Sequence, residues 1–207
     1  MYATLNPTAK GLAPLLLKNG SGANPLDPLV KELKRWTSKR KKTDQDYEII
    51  AQLEWLGSFY PSEPGTFEVK NGKLIIEGFG VPVIPGENVE GMLVKGARKL
   101  KKGDAFKAGI VCEGVYPIVT GANGKTKTIR EMLGDPNHFF THRAVIQGKT
   151  VMRTRPIFNR WQISPCISYL PSEVDKQEVE EVFELCGRVI GLGDWRPRFG
   201  RFEAVTE

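Results

Sequence analysis

Gly187–Val205, GRVIGLGDWRPRFGRFEAV, decides how this chain is read. Gly191, Gly193 and Gly200 bracket Asp194, Trp195, Arg196, Pro197 and Arg198 in one short turn. A helical pattern precedes the turn, and Arg201–Val205 alternates like a strand. Glycines at this density let a backbone approach another group closely or take a positive φ. With no side chain in the way, their N–H groups can face a phosphate. Arg196, Arg198 and Arg201 carry planar forks matched to phosphate oxygens. Trp195 and Phe199 offer flat faces for a base or a guanidinium plane. The same letters also fit a plain glycine-rich turn between helix and strand, its arginines solvated.

A second stretch narrows the choice. Val83–Leu100 reads VIPGENVEGMLVKGARKL: a turn at Ile84-Pro85-Gly86, then a helix with a basic end. Together the two stretches resemble the RAMP superfamily, the repeat-associated proteins that form the RNA-binding backbone of CRISPR effector complexes. Ile84, Pro85, Gly86, Gly91 and Arg98 match that family's turn-and-helix pattern, with Glu87 and Asn88 standing where the family carries serines. Gly191, Gly193, Gly200 and Phe202 match its closing glycine-rich loop. The chain is short for a CRISPR backbone subunit, and it is similar to small proteins of this type found outside CRISPR loci, including in tailed phages. The resemblance implies a ferredoxin-like (RRM-like) fold. It also implies a partner that is single-stranded, crRNA-like RNA or another nucleic acid, and assembly as a homo-oligomer or multi-subunit ribonucleoprotein.

The 207 residues are within the range of one domain with a real core, so residues 1–207 are expected to form a single RAMP-like domain. A net charge of +6 favours polyanionic partners. No apolar run reaches the roughly 18 residues of a membrane span, and the start, MYATLNPTAKG, lacks the pattern of a signal peptide. Cys112, Cys166 and Cys186 are widely spaced without a CxxC pair and read as reduced thiols of a cytoplasmic protein.

In order, Tyr2–Leu17 reads as a first strand kinked at its prolines, and residues 19–28 as a loop. Leu29–Trp36 has a helical face. The basic run Lys39, Arg40, Lys41, Lys42 follows, either a solvated loop or a phosphate-binding one. Thr43 or Asp44 caps the next helix, which runs to about Leu56. Asn71-Gly72 between two alternating runs signals a hairpin, because a type I′ turn needs positive φ at both central residues. Lys95, Arg98, Lys99, Lys101 and Lys102 gather at the C-terminal end of the helix after Gly86, where the helix dipole favours cations in any case. Phe106–Tyr116 reads as a strand. The tip Thr120–Thr126 lacks the spacing of a nucleotide-binding P-loop and is expected as a mobile loop or thumb-like hairpin. Arg153 and Arg155 share one side of a strand near Phe158, Arg160 and Trp161. That pattern suits a single-stranded nucleic-acid platform, or equally salt bridges over core aromatics. A last helix is expected over Glu173–Cys186, capped by Ser172, with an acidic outer face.

The expected fold is therefore α+β, a ferredoxin-like βαββαβ core with insertions over about 18–82 and 114–148. The expected function is non-catalytic RNA binding with side-by-side assembly along the strand. The alternatives are a phage or accessory protein that binds other nucleic acid or mimics a backbone subunit to inhibit an effector complex, and an endoribonuclease. For the last, Asp27 and His142 are the only acid–base candidates. His138 and His142 are four apart but lack a third ligand at metal-site spacing, so neither a metal nor a cofactor is expected.

Overall fold

The computed structural model describes residues 1–121, 124–146 and 148–205. Along the chain come β1 (Ala3–Leu5), β2 (Thr8–Gly11), β3 (Leu15–Leu16), α1 (Pro28–Thr37), α2 (Asp44–Leu56), β4 (Gly65–Lys70), β5 (Lys73–Gly78) and β6 (Val83–Pro85). Next are α3 (Gly86–Lys99), α4 (Gly103–Gly109), β7 (Ile110–Val111), β8 (Val115–Pro117), α5 (Ile129–Leu133), β9 (Phe139–Ile146) and β10 (Lys149–Phe158). The chain closes with β11 (Gln162–Ile163), β12 (Ile167–Tyr169), α6 (Lys176–Leu185) and β13 (Phe202–Val205). It is an α+β structure with small antiparallel sheets. It divides into two compact units: residues 1–16, 83–126 and from Phe158 onward form the first, and 17–82 with 127–157 the second.

In the first unit, β2 lies between β13 and β11, antiparallel to both, with Phe202 opposite Gly11 and Ile163 opposite Ala9. β12 lies between β1 and β7 in the same sense, pairing Leu5 with Ile167 and Tyr169 with Ile110. Asn6 and Pro7 separate β1 from β2, as a residue with no backbone N–H to give a ladder must. Helices α3 and α6 bury Val89, Met92, Leu93 and Ala97 on one and Val179, Val182 and Phe183 on the other. Gly96 lets them meet: a Cβ there would fall on the Cys186 sulfur, with Val182 Cγ1 next at 3.4 Å. Gly86 serves the entry to α3 in the same way, since a Cβ there would overlap the Cys112 carbonyl oxygen. The Ile-Pro-Gly turn is thus explained by packing of backbone on backbone.

Two sequence expectations change here. Phe106–Tyr116 does not begin as a strand. Gly103, Phe106 and Gly109 are buried at helical spacing, and they form α4 after Lys101 turns the chain with a φ of 61°. The final helix starts three residues later than expected, at Lys176. Asp175, not Ser172, accepts the Glu178 N–H at 2.8 Å, and Glu178 returns a bond to the Asp175 N–H, the reciprocal cap that fixes a helix start. Burial pushes the Cys112 and Cys186 thiols up to about 12, whereas Cys166 is exposed.

In the second unit, α2 is capped as the sequence indicates: Thr43 accepts the Asp46 N–H and Asp46 accepts that of Thr43. β4 and β5 form the hairpin with Asn71 and Gly72 at φ 52° and 71°. Trp55 is fully buried between Phe59 and Phe139 and donates to the His138 carbonyl at 2.8 Å. β9 and β10 form a second hairpin, Arg153 opposite His142. The Thr120–Thr126 tip of the first unit includes Ala122 and Asn123, which lie outside the described residues.

Two glycines on α3 behave oppositely under substitution. Gly91 is exposed with nothing within 4 Å of an added Cβ, so Gly91→Ala removes a helix penalty of about 0.5–1 kcal/mol and raises the thermal midpoint by about 2–3 °C. Gly96→Ala lowers it, because the Cys186 sulfur has to give way. Circular-dichroism melts of the two variants check both signs.

Candidate nucleic-acid interface

The expected binding residues fall into two sets, one per unit. In the first unit the glycine loop is built from inside. Gly191, Gly193 and Gly200 have φ of 76°, 79° and 73°. A Cβ at Gly193 would strike the Leu16 carbonyl oxygen, and one at Gly200 that of Leu192. The Gly191 N–H goes to Cys186 O at 2.8 Å, Leu192 to Gly200 O at 2.9 Å, Asp194 to Leu16 O at 2.8 Å and Gly200 to Pro14 O at 2.8 Å. These donors are spent on the protein itself, so Gly191 and Gly200 do not present N–H groups to a phosphate. The glycines shape the loop, and its side chains carry whatever it binds.

Those side chains are displayed outward. Arg196, Arg198 and Arg201 are exposed, and Trp195 is 46% exposed at a φ of 52°. The Arg198 guanidinium lies 5.7 Å from the centre of the Trp195 ring, and the Phe199 ring is tilted against Trp195 at 5.5 Å. An arginine over an indole face is held in place by the ring's quadrupole while its N–H edge stays open to an acceptor. Lys95 and Arg98 are exposed on α3, the stem of Arg98 lying against Gly103. Arg160 is exposed as well, but Trp161 beside it is not. Its ring is 3% exposed, packs on Phe202 and donates to the Ala13 carbonyl at 2.8 Å. Trp161 is core and offers no face to a base.

In the second unit the basic residues are divided between structure and surface. Lys39 donates to Asp46 at 2.7 Å and lies 3.6 Å over the Trp36 ring. Lys42 donates to the Lys39 carbonyl at 2.7 Å. Arg40 and Lys41 are exposed. On β10, Arg153 is ion-paired with Glu54, whose side chain is only 4% exposed and whose second oxygen accepts the Thr154 N–H at 2.9 Å. Arg155 donates to the Ser58 hydroxyl at 3.4 Å. A buried carboxylate needs such partners, because breaking the pair leaves its charge uncompensated. Glu54 escapes a reading of the sequence: between Leu53 and Trp55 it looks like any helix carboxylate.

Asp27 is the N-cap of α1, accepting from the Leu29 and Val30 N–H groups at 2.8 and 3.4 Å. His142 stacks on Phe140 with ring centres 5.4 Å apart. Among the described residues no group of three or more His, Cys, Asp or Glu side chains is arranged to hold a metal ion. No helix among them is long and apolar enough to cross a membrane. Comparison with protein-family models and with curated protein sequences finds no match for this chain.

The Lys39–Asp46 contact gives a pH signature. The hydrogen bond from Lys39, then that from the Thr43 N–H, holds the Asp46 carboxyl below its ordinary 3.8. A carboxyl depressed by folding adds stability above its unfolded value, and that stability is lost as pH falls through the folded one. The carbon-13 titration midpoint of Asp46 therefore lies below 3.8 and rises in Lys39→Met. An unchanged midpoint in that variant contradicts the assignment.

Proposed function

We propose that the first unit is a ferredoxin-like, RRM-like core and that the protein binds single-stranded RNA without cleaving it, in the manner of the RAMP superfamily. The strand pairings support the fold. Taking β1 with β2 as the first strand, β7 as the second, β11 with β12 as the third and β13 as the fourth, the order is fourth, first, third, second, all neighbours antiparallel. Helix α3 connects first to second and α6 connects third to fourth. Each βαβ half then has a strand of the other half between its own two, the split arrangement of that fold.

The observation that carries the function is the loop of Trp195, Arg196, Arg198 and Arg201: charge and a half-exposed ring on a backbone pinned by four internal hydrogen bonds. Phosphates of a flexible strand meet the arginines while a base stacks on the indole. Such a site reads no sequence and favours single strands, whose bases are free to splay. Lys95 and Arg98, exposed on α3 of the same unit, add positive charge, and neighbouring copies line up along one strand. The use of the Asp27 carboxylate as a helix cap supports the non-catalytic reading.

Titrating a fluorescein-labelled oligouridine at several salt concentrations tests this by anisotropy. Binding weakens steeply with salt, because each neutralised phosphate releases counterions. Arg196→Ala with Arg198→Ala lowers the slope of log K against log salt by about 1.4. Trp195→Ala weakens binding by about 1–3 kcal/mol while leaving that slope unchanged. Absence of binding at low salt, or binding that ignores all three changes, overturns the proposal.

A further inference from the structure

The second unit holds an open pocket that the RNA reading does not use. Its volume is about 920 Å³, within the range of small-molecule sites. Leu29, Val30 and Leu33 of α1 form one wall, and Phe67 of β4 lies on another. Helix α1 is amphipathic, yet none of its residues is buried. Leu29, Val30 and Leu33 are all half-covered, so the apolar face that folding should hide is left lining this space.

The polar groups around the cavity are mostly committed elsewhere. Asn19 donates to Phe59 O at 2.7 Å and accepts the Ser21 N–H at 2.9 Å. Asp27 caps α1, and the Ser58 hydroxyl donates to Glu54 O at 2.7 Å. Glu54 holds Arg153 and the Thr154 N–H. A ligand rich in hydrogen-bonding edges, such as a nucleobase, would find few answering groups. The charged groups on the lining are the exposed Lys18 ammonium, the guanidinium of Arg153, one third exposed, and that of Arg155, which donates to Ser58, against the carboxylates of Asp27 and Glu54, so the balance is positive. Glu54 holds the Arg153 guanidinium by one of its nitrogens, and the fork has five N–H donors in all.

From this combination of a half-covered apolar wall and a net positive lining we propose that the pocket binds a small carboxylate with an apolar body. The carboxylate meets Arg153 and Lys18, and the hydrocarbon lies on Leu29, Leu33 and Phe67. The Glu54 contact fixes the guanidinium before the ligand arrives, so little ordering is needed on binding. The site is independent of the glycine loop, and its fate is separate from that of RNA binding.

Nitrogen-15 spectra of the full chain, titrated with octanoate, 2-naphthoate, 1-octanol and acetate, test it. Saturable shifts around α1, α2 and β4 are expected with at least one of the two apolar carboxylates, at a Kd of about 1 mM or tighter. The neutral alcohol and the bare head bind at least about tenfold more weakly. Leu33→Trp and Ala144→Phe fill the cavity and abolish the shifts. Lys18→Ala, an exposed position safe for folding, weakens carboxylate binding about threefold and leaves octanol unchanged. The proposal is overturned by no saturation with either apolar carboxylate, by octanol binding as tightly as octanoate, or by shifts that persist in a folded cavity-filled variant.

Discussion

The first unit depends on backbone coming against backbone where no Cβ intervenes. At Gly86, Gly96, Gly193 and Gly200 a single methyl would overlap a carbonyl oxygen or the Cys186 sulfur. Each contact sits at a junction: the entry to α3, the crossing of α3 with α6, and the closure of the final loop. Close-packed interiors tolerate little added volume, so these glycines set the spacing to which the helices and strands conform. The loop's charged residues inherit that rigidity. Arg196, Arg198 and Arg201 are long side chains, but they start from a backbone with little freedom to drift.

The second unit is organised by a different constraint, the satisfaction of charge. Glu54 is withdrawn from water and answered by Arg153 and a backbone N–H. Asp46 plays a similar part with Lys39, which in turn covers Trp36. A positive formal charge therefore overstates what is available to a partner. Several of the cations that drew notice in the sequence are held by the fold, and Arg40 and Lys41 remain on the surface.

The elements legible in the sequence were those whose cause is local. The Asn71-Gly72 turn, the Thr43 cap and the helix after Gly86 each depend on a few neighbouring residues, and each is found where the pattern puts it. Helix α4 was missed because its seven residues carry too little periodicity to distinguish alternation from a helical turn. The Ser172 cap failed because Asp175 with Glu178 offers a reciprocal pair that Ser172 lacks. At the candidate interface, exposure was the unreadable quantity. Trp161 and Trp195 look alike as letters beside arginines; one donates into the core to Ala13 and the other faces solvent. Two of the four carbonyls that take the loop's N–H groups come from Pro14 and Leu16, far along the chain. The cavity, assembled from α1, α2, β4 and β10, has no linear signature at all.

The three thiols divide in a way that gives the molecule a single chemical address. Cys112 and Cys186 are buried and hold their protons to about 12. Cys166 lies exposed between β11 and β12, the two strands that run beside β2 and β1. Electrophiles select thiolates they can reach. A dye, spin label or crosslinker directed at sulfur in the folded protein accordingly lands at one place, beside the central strands of the first unit, with no cysteine needing to be removed first.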